Sequence, residues 1–307
     1  MTPRFARIGS GQLTRVGRRK ARVFRASERD LMVEMTEIRN LATMMVSTLG
    51  LSCSPVGVRL LSEDDVAPAD VERLDKHRYC QAVMKARRGR NVLLDGGGIS
   101  CPAAAAAFGF RPLPDQLKNG KGLVGFGIVS DEAVGARMFE GMVVLEPGQI
   151  SGLHLFPLEQ AGQVPDVIVV EAEVEKLMWI ALAYLHAKGG ERVQASTAIL
   201  QATCVDATII PFVEQRLNFG YGCYGCRDAT DLGSDEGVLG FPASVLPVLV
   251  EHLQFLSAKA VPNSREKRAF SALRKATCPG AYSEGDNGTQ RIDVDCAADT
   301  RSAQTEG

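Results

Sequence analysis

The chain has 307 residues, of which 45% are hydrophobic and 23% are charged, a composition typical of a soluble globular protein with a sizeable core. Its 35 basic and 36 acidic residues nearly cancel, which argues against a protein whose whole surface binds nucleic acid. The sequence has no apolar run of about 18 residues, so it predicts no transmembrane helix and no membrane partner. No apolar signal-peptide core is found near the start, and 8 cysteines are too few for a disulfide scaffold. We therefore expect a cytoplasmic protein whose clustered cysteines serve metal or redox chemistry.

Both ends of the chain differ in composition from the middle. Residues 1–32 are strongly basic, and they predict a disordered extension, with a nucleic-acid-binding arm or a targeting segment as alternatives. Met32 and Met35 are alternative start sites. Residues 273–307 are rich in small polar and acidic residues, which predicts a disordered tail. The remaining segment, 33–272, is expected to form a single compact domain.

The hydrophobic pattern of that segment predicts helices mixed with short strands. In the first half of the segment, the expected elements are a helix at 37–49, a strand at 56–61, a helix at 77–88, a strand at 92–94, a helix at 100–108, a strand at 123–129 and a helix at 131–139 with Ser130 as its N-cap. In the second half, they are strands at 153–157 and 167–170, a helix at 174–187, a strand at 193–198, a helix at 204–215, strands at 219–221 and 238–241, and a helix at 245–256. Helices separate pairs of strands instead of alternating with single strands. This order favours an α+β fold with a mixed or antiparallel sheet and helices packed on it.

Five cysteines of this segment have neighbours that suit chemistry. Cys223 and Cys226 form a C-x-x-C pair among glycines, and a two-residue spacing lets both sulfurs reach one metal centre. Cys101 follows a triple-glycine turn and precedes Pro102 at a predicted helix start, where backbone N–H groups stabilise a thiolate. Cys80 and Cys204 lie early in predicted helices.

The sequence therefore predicts a metal site built from Cys101, Cys204, Cys223, Cys226 and Cys80. Their spacing is not that of a local ferredoxin or zinc-ribbon motif, so the fold must assemble the site from distant segments. Because the set contains no histidine, an iron–sulfur cluster of the [4Fe–4S] type is the expected cofactor, with zinc as the alternative. Two other functions remain open: a thiol enzyme with Cys101 as nucleophile and Cys223 and Cys226 as its dithiol, and a carrier that passes on a cluster or metal.

Cations and glycines near these cysteines suggest an anion-binding site. Arg78 precedes Cys80, Arg227 follows Cys226, and Gly97 and Gly98 lie in the turn before Cys101. Guanidinium groups and backbone N–H groups both bind anions. The predicted partners are accordingly a small anionic molecule or a redox partner protein, without nucleic acid.

Several blocks of the sequence together resemble the domain-of-unknown-function 169 family of bacterial and archaeal proteins. The blocks are Pro55-Val-Gly-Val-Arg-Leu60, Arg78-Tyr-Cys-Gln-Ala-Val83, Ile99-Ser-Cys-Pro-Ala-Ala104, Ala202-Thr-Cys-Val-Asp-Ala207, Gly222-Cys-Tyr-Gly-Cys-Arg-Asp-Ala229 and Gly240-Phe-Pro-Ala-Ser244. The resemblance covers about residues 36–258 and includes all five cysteines as motif positions. It implies a single cytosolic domain and does not imply a reaction.

Overall fold

A seven-stranded mixed sheet forms the centre of the computed structural model, which describes residues 28–260. The strands are β1 (Val56–Leu61), β2 (Glu72–Arg73), β3 (Val92–Asp95), β4 (Gly152–Pro157), β5 (Val167–Glu173), β6 (Asn218–Gly220) and β7 (Glu236–Pro242). Their order across the sheet is β2-β3-β4-β1-β5-β7-β6. β2 and β3 are parallel, and the other neighbouring strands are antiparallel. The predicted α+β class with a mixed sheet is confirmed.

The helices lie on both faces of this sheet. They are α1 (Glu28–Leu49), α2 (Tyr79–Arg87), α3 (Pro102–Ala107), α4 (Asp115–Lys118), α5 (Lys121–Gly125), α6 (Glu132–Arg137), α7 (Val174–Ala187), a π-helix (Ala202–Ile209), α8 (Ile210–Glu214), α9 (Tyr224–Ala229) and α10 (Leu246–Lys259). None of these helices is long and apolar enough to cross a membrane.

Alternation along the strands separates the two faces. Val56, Val58 and Val238 belong to a core that includes α2, α3 and the π-helix. Gly237, which points the other way, faces Leu177 of α7. The face that carries Val238, called the site face below, is therefore the one that positions the predicted cysteines.

Two predicted strands are absent from the described part of the chain. Residues 123–129 were expected to form a strand, but the chain forms α5 there, with Leu123 buried and Phe126 exposed. Residues 193–198 form no strand because the Asn218 side chain donates to the carbonyl of Ser196 and accepts from its N–H, both at 2.9 Å. A side chain thus supplies the hydrogen bonds that a neighbouring strand would have supplied.

Two helices also differ from their predicted form. The expected helix at 204–215 is divided into the π-helix and α8, and Pro211, without an N–H, lies where α8 begins. The N-cap of α6 is Asp131 and not Ser130, because Oδ1 of Asp131 accepts the N–H of Val134 at 2.9 Å.

The described residues up to Ser257 form one compact unit, and α10 ends at Lys259. The first helix begins at Glu28, before its predicted start at residue 37. The rest of the predicted basic extension and the predicted tail lie outside the described residues.

A buried charged cluster ties α2 to the sheet. Arg87 of α2 donates to Glu171 of β5 at 3.3 Å and to Glu236 of β7 at 2.8 Å. The Arg87 and Glu171 side chains are only 7% and 1% exposed. Burial raises the pKa of Glu171 to about 7, although the neighbouring guanidinium opposes that shift. We call Arg87, Glu171 and Glu236 the Arg87 cluster.

The raised pKa of Glu171 predicts a pH-dependent loss of stability. Between pH 4.5 and 7 the folded state holds a proton at Glu171 that the unfolded state has released, so the free energy of unfolding falls as pH rises. Glu171→Gln removes this contribution. The stability of the variant relative to the wild type should therefore increase by on the order of 1–3 kcal/mol between pH 4.5 and 7.5, as measured by urea unfolding. Glu251→Gln, on the exposed side of α10, is the control, and parallel curves for Glu171→Gln and the wild type would contradict the prediction.

Candidate functional site

The π-helix forms the floor of the candidate site. The chain reaches it through Ile199 and Gln201, both with left-handed backbone (φ 59° and 57°). The N–H groups of Val205 and Asp206 both bond to the carbonyl of Gln201, and all eight residues of the π-helix are buried. π-Helices are rare in proteins, and those that occur are frequently found at functional sites.

The π-helix lies directly against the sheet. A Cβ on Gly240 of β7 would be 1.8 Å from the carbonyl oxygen of Ala207, so only glycine permits this approach. Deeper in the same face, the hydroxyl groups of Tyr79 and Thr208 are 2.8 Å apart, and Thr208 also donates to the carbonyl of Thr203. These contacts fix the orientation of Cys204 relative to α2 and β7.

The C-x-x-C loop, by which we mean residues 222–226 including the start of α9, packs against the π-helix. Gly222 has a φ of +78°, and a Cβ there would be 2.5 Å from Leu232, so the turn before Cys223 requires glycine. The sulfur of Cys223 caps α9 by accepting the N–H of Cys226 at 3.2 Å. The two sulfurs are 3.0 Å apart, and Thr203 of the π-helix lies 3.3 Å from the sulfur of Cys226.

Five thiols from four separate segments interact at this place. Burial raises the pKa of Cys204 well above its usual value, and electrostatic interaction with Cys101, Cys223 and Cys226 raises it further. Cys80 of α2 interacts with Cys226 and raises the pKa of that thiol. The fold therefore brings all five predicted cysteines together, and we call Cys80, Cys101, Cys204, Cys223 and Cys226 the cysteine centre.

The thiols of the C-x-x-C pair are also held in their neutral form. The hydrogen bond to Cys226, followed by burial, raises the pKa of Cys223. The hydrogen bond from Cys223 lowers the pKa of Cys226, but the interaction with Cys80 and burial outweigh it, so that the pKa is about 11. No disulfide joins the six cysteines of the described range. A bound cation would reverse these shifts, because metal ligation deprotonates thiols.

A titratable carboxyl group borders the cysteine centre. Asp206 of the π-helix is 3% exposed, and burial raises its pKa to about 7 against the effect of a hydrogen bond from Thr197. Its charge contributes to the raised pKa of Cys204. The sequence interpretation did not select Thr203 or Asp206, although polar residues in an otherwise apolar helical block were the available signal.

The geometry required for a single metal ion is not present. Within residues 28–260, no group of three or more His, Cys, Asp or Glu side chains is arranged to hold one ion. Tetrahedral zinc has metal–sulfur bonds of about 2.3 Å, which places its ligand sulfurs roughly 3.8 Å apart. The sulfurs of Cys223 and Cys226 are closer than this.

The groups predicted to bind an anion make internal contacts. The N–H groups of Gly97 and Gly98 both donate to Oδ1 of Asp95 at 2.9 Å. Arg227 donates to the backbone carbonyls of Gly233 and Glu236, and also to that of Tyr221. These contacts stabilise turns, and the anion-binding role of the three residues stays a prediction.

Arg78 and the remaining cysteines have other positions. Arg78 donates to the carbonyl of Gly225 at 2.7 Å and lies 3.7 Å from Asp228, so it joins α2 to the C-x-x-C loop. Cys53 is half-buried and interacts with Arg87, apart from the cysteine centre. Cys278 and Cys296 lie outside the described residues.

The fold and the site define an α+β protein with a buried multi-cysteine centre on one face of its sheet. The chain matches the family DUF169, described as Uncharacterised ArCR, over residues 44–252, and it belongs to that family. An uncharacterised protein of the archaeon Methanocaldococcus jannaschii is 29% identical over 225 residues, which are 72% of this chain and 96% of the relative. No solved structure matches the chain.

Proposed function

We propose that the cysteine centre binds an iron–sulfur cluster, with a [4Fe–4S] cluster as its expected form. The observation that carries this proposal is the interaction of thiols from α2, the start of α3, the π-helix and the C-x-x-C loop. Cysteines so far apart in the chain have no reason from local structure to share one buried place. A shared cofactor would explain why they lie together, and thiolates are the usual ligands of iron–sulfur clusters.

The electrostatics of the centre support a cationic occupant. Buried neutral thiols that raise one another's pKa values become ligands when a metal supplies the opposing charge. The N–H of Cys226, which bonds to the sulfur of Cys223, would stabilise that sulfur once metal ligation has made it a thiolate. Hydrogen bonds to the ligand sulfurs are one of the features that set the potential of a cluster.

The size of the occupant favours a cluster over zinc. Within residues 28–260, no group of three or more His, Cys, Asp or Glu side chains is arranged to hold one ion, whereas a cubane cluster needs its ligand sulfurs roughly 6–7 Å apart. The Cys223 and Cys226 side chains would separate from their 3.0 Å contact by rotation about χ1 when the cluster binds.

We further propose that the protein works in the reducing cytoplasm and exchanges electrons with a redox partner protein. Thiol ligands persist in that compartment. Cys223 is half-buried, and the exposed rings of Tyr221 and Tyr224 flank it, which gives the centre a side that a partner can approach. A small anionic substrate beside the centre is the alternative.

Anaerobic purification tests the proposal. We expect a brown protein that contains iron and acid-labile sulfide in equal amounts, with a broad visible absorption that reduction bleaches. A colourless anaerobic preparation that cannot be reconstituted with iron and sulfide, or one that holds only zinc, would overturn the cluster.

Cysteine substitutions test the ligand set. Cys101→Ser, Cys204→Ser, Cys223→Ser and Cys226→Ser should each reduce the iron content at least several-fold, because serine is a poor ligand for soft metals. A second substitution in the set should add little, since ligands of one centre act as a unit. Cys80→Ser should have a smaller effect because four thiolates complete the cluster. Cys53→Ser is the matched control, and additive small losses would contradict a shared site.

A further inference from the structure

A second kind of chemistry is built into the C-x-x-C loop, because its two sulfurs are already close to bonding distance. Their separation is 3.0 Å, compared with about 2.05 Å in a disulfide, so the bond needs only a small movement of the side chains. The position of Cys223 as the cap of α9 holds the pair in this arrangement. We propose that Cys223 and Cys226 of the metal-free centre form a reversible disulfide when they meet an oxidised small-molecule disulfide, and that this protein disulfide excludes the iron–sulfur cluster.

The two cysteines differ in access, which gives the reaction an order. Cys223 is half-buried and lies between exposed tyrosines, whereas Cys226 is only 3% exposed. A small-molecule disulfide such as oxidised glutathione therefore meets Cys223 first. The N–H of Cys226, 3.2 Å from the sulfur of Cys223, holds that sulfur beside Cys226.

The reaction balances in two exchanges. The Cys223 thiolate attacks one sulfur of oxidised glutathione, which breaks the glutathione disulfide, forms a mixed disulfide and releases the first glutathione thiolate. The Cys226 thiolate then attacks the sulfur of Cys223 and releases the second. The two protons of the cysteine thiols pass to the two glutathiones, so the protein loses two electrons and oxidised glutathione gains them.

Other thiols near Cys226 define the alternatives. Cys80 of α2 and Cys204 of the π-helix both interact with Cys226. Cys223, however, is the N-cap residue of α9, the helix that contains Cys226, so a bond between these two cysteines forms without movement between elements. The disulfide removes two of the four ligands from the centre. The exclusion of the cluster thus rests on the proposed function, whereas the disulfide itself does not.

Peptide mapping distinguishes the possible bonds because of where the basic residues lie. Trypsin, which cleaves after Lys and Arg, releases Cys223 and Cys226 together on residues 217–227. It releases Cys80 on 79–85 and Cys204 on 193–216. The metal-free full-length chain is oxidised with glutathione disulfide, blocked with iodoacetamide and digested.

We expect peptide 217–227 to lose two hydrogens and to resist alkylation, while the other two peptides stay alkylated. In Cys226→Ser, Cys223 should remain as a mixed disulfide with glutathione. Cys53→Ser and Cys80→Ser should leave the internal bond intact. A bond between 217–227 and 79–85 or 193–216, or a persistent mixed disulfide in the wild type, would overturn the proposal. The wild-type map decides the question even if Cys226→Ser fails to fold.

A second measurement separates this proposal from the proposed function. Protein reconstituted with iron and sulfide should resist the oxidant at 217–227, and where oxidation proceeds, about four irons should be released for each disulfide formed. Iron that stays bound while the disulfide forms would overturn the exclusion. If no preparation binds iron but the disulfide forms, the cluster is rejected and the dithiol chemistry stands. If iron binds and the metal-free protein forms no disulfide, the dithiol chemistry is rejected and the cluster stands.

Discussion

Gly240→Ala should displace the π-helix from the sheet and thereby weaken the cysteine centre. The new Cβ would be 1.8 Å from the carbonyl oxygen and 2.6 Å from the carbonyl carbon of Ala207, and both are backbone atoms that cannot rotate away. We expect a loss of about 3 kcal/mol or more in the free energy of unfolding. Because Cys204 is carried by the same helix, the iron content of anaerobically purified protein should fall with it.

Urea unfolding and iron analysis of the variant check this expectation. Gly162→Ala is the matched control, since a Cβ at Gly162 meets nothing within 4 Å. The control should change the stability by less than about 0.5 kcal/mol. A stable Gly240→Ala protein with full iron content would show that the π-helix does not need its contact with β7.

The strand that contains Gly240 was predicted from the sequence, but its role was not. The pattern at 238–241 indicates a buried strand, and the structure has β7 there. The contact with Ala207 joins residues that are distant in the chain, and no local pattern reports such a pair. The glycine could be recognised only through the block that carries the family resemblance.

The cysteine centre likewise has features that depend on neighbouring residues, which the sequence predicts, and features that depend on long-range packing, which it does not. The C-x-x-C spacing and the helix-start position of Cys101 were readable because they depend on neighbouring residues. The relation of Cys204 to both depends on how α3, the π-helix and α9 pack on the site face. The sequence predicted that distant segments meet, and it contained no measure of their geometry.

The wrong strand at 193–198 has a comparable cause. Alternating residues favour a strand locally, but the Asn218 side chain satisfies the backbone of Ser196 and leaves no need for a neighbouring strand. The π-helix was likewise predicted as an ordinary helix. Its spacing follows from the bonds at Gln201 and from Pro211, and side-chain periodicity over eight residues does not separate the two forms.

Arg87→Met should destabilise the protein by about 3–5 kcal/mol near neutral pH, because it leaves the carboxylates of the Arg87 cluster without their cation. Methionine keeps most of the volume, so the loss reflects charge more than a cavity. The buried carboxyl of Glu171 can escape part of the penalty by taking up a proton, since its pKa is already raised to about 7. The loss should accordingly be smaller at pH 5 than at pH 8.

Two further variants make this expectation specific. Arg88→Met, at the residue that directly follows α2, removes an exposed ion pair with Asp231 and should cost less than about 1 kcal/mol. Combining Arg87→Met with Glu171→Gln removes the unpaired buried charge and should restore part of the stability at pH 8. If Arg87→Met costs the same at both pH values and the double variant recovers nothing, then α2 is held to β5 and β7 by packing alone, and the buried charges are incidental to the position of Cys80.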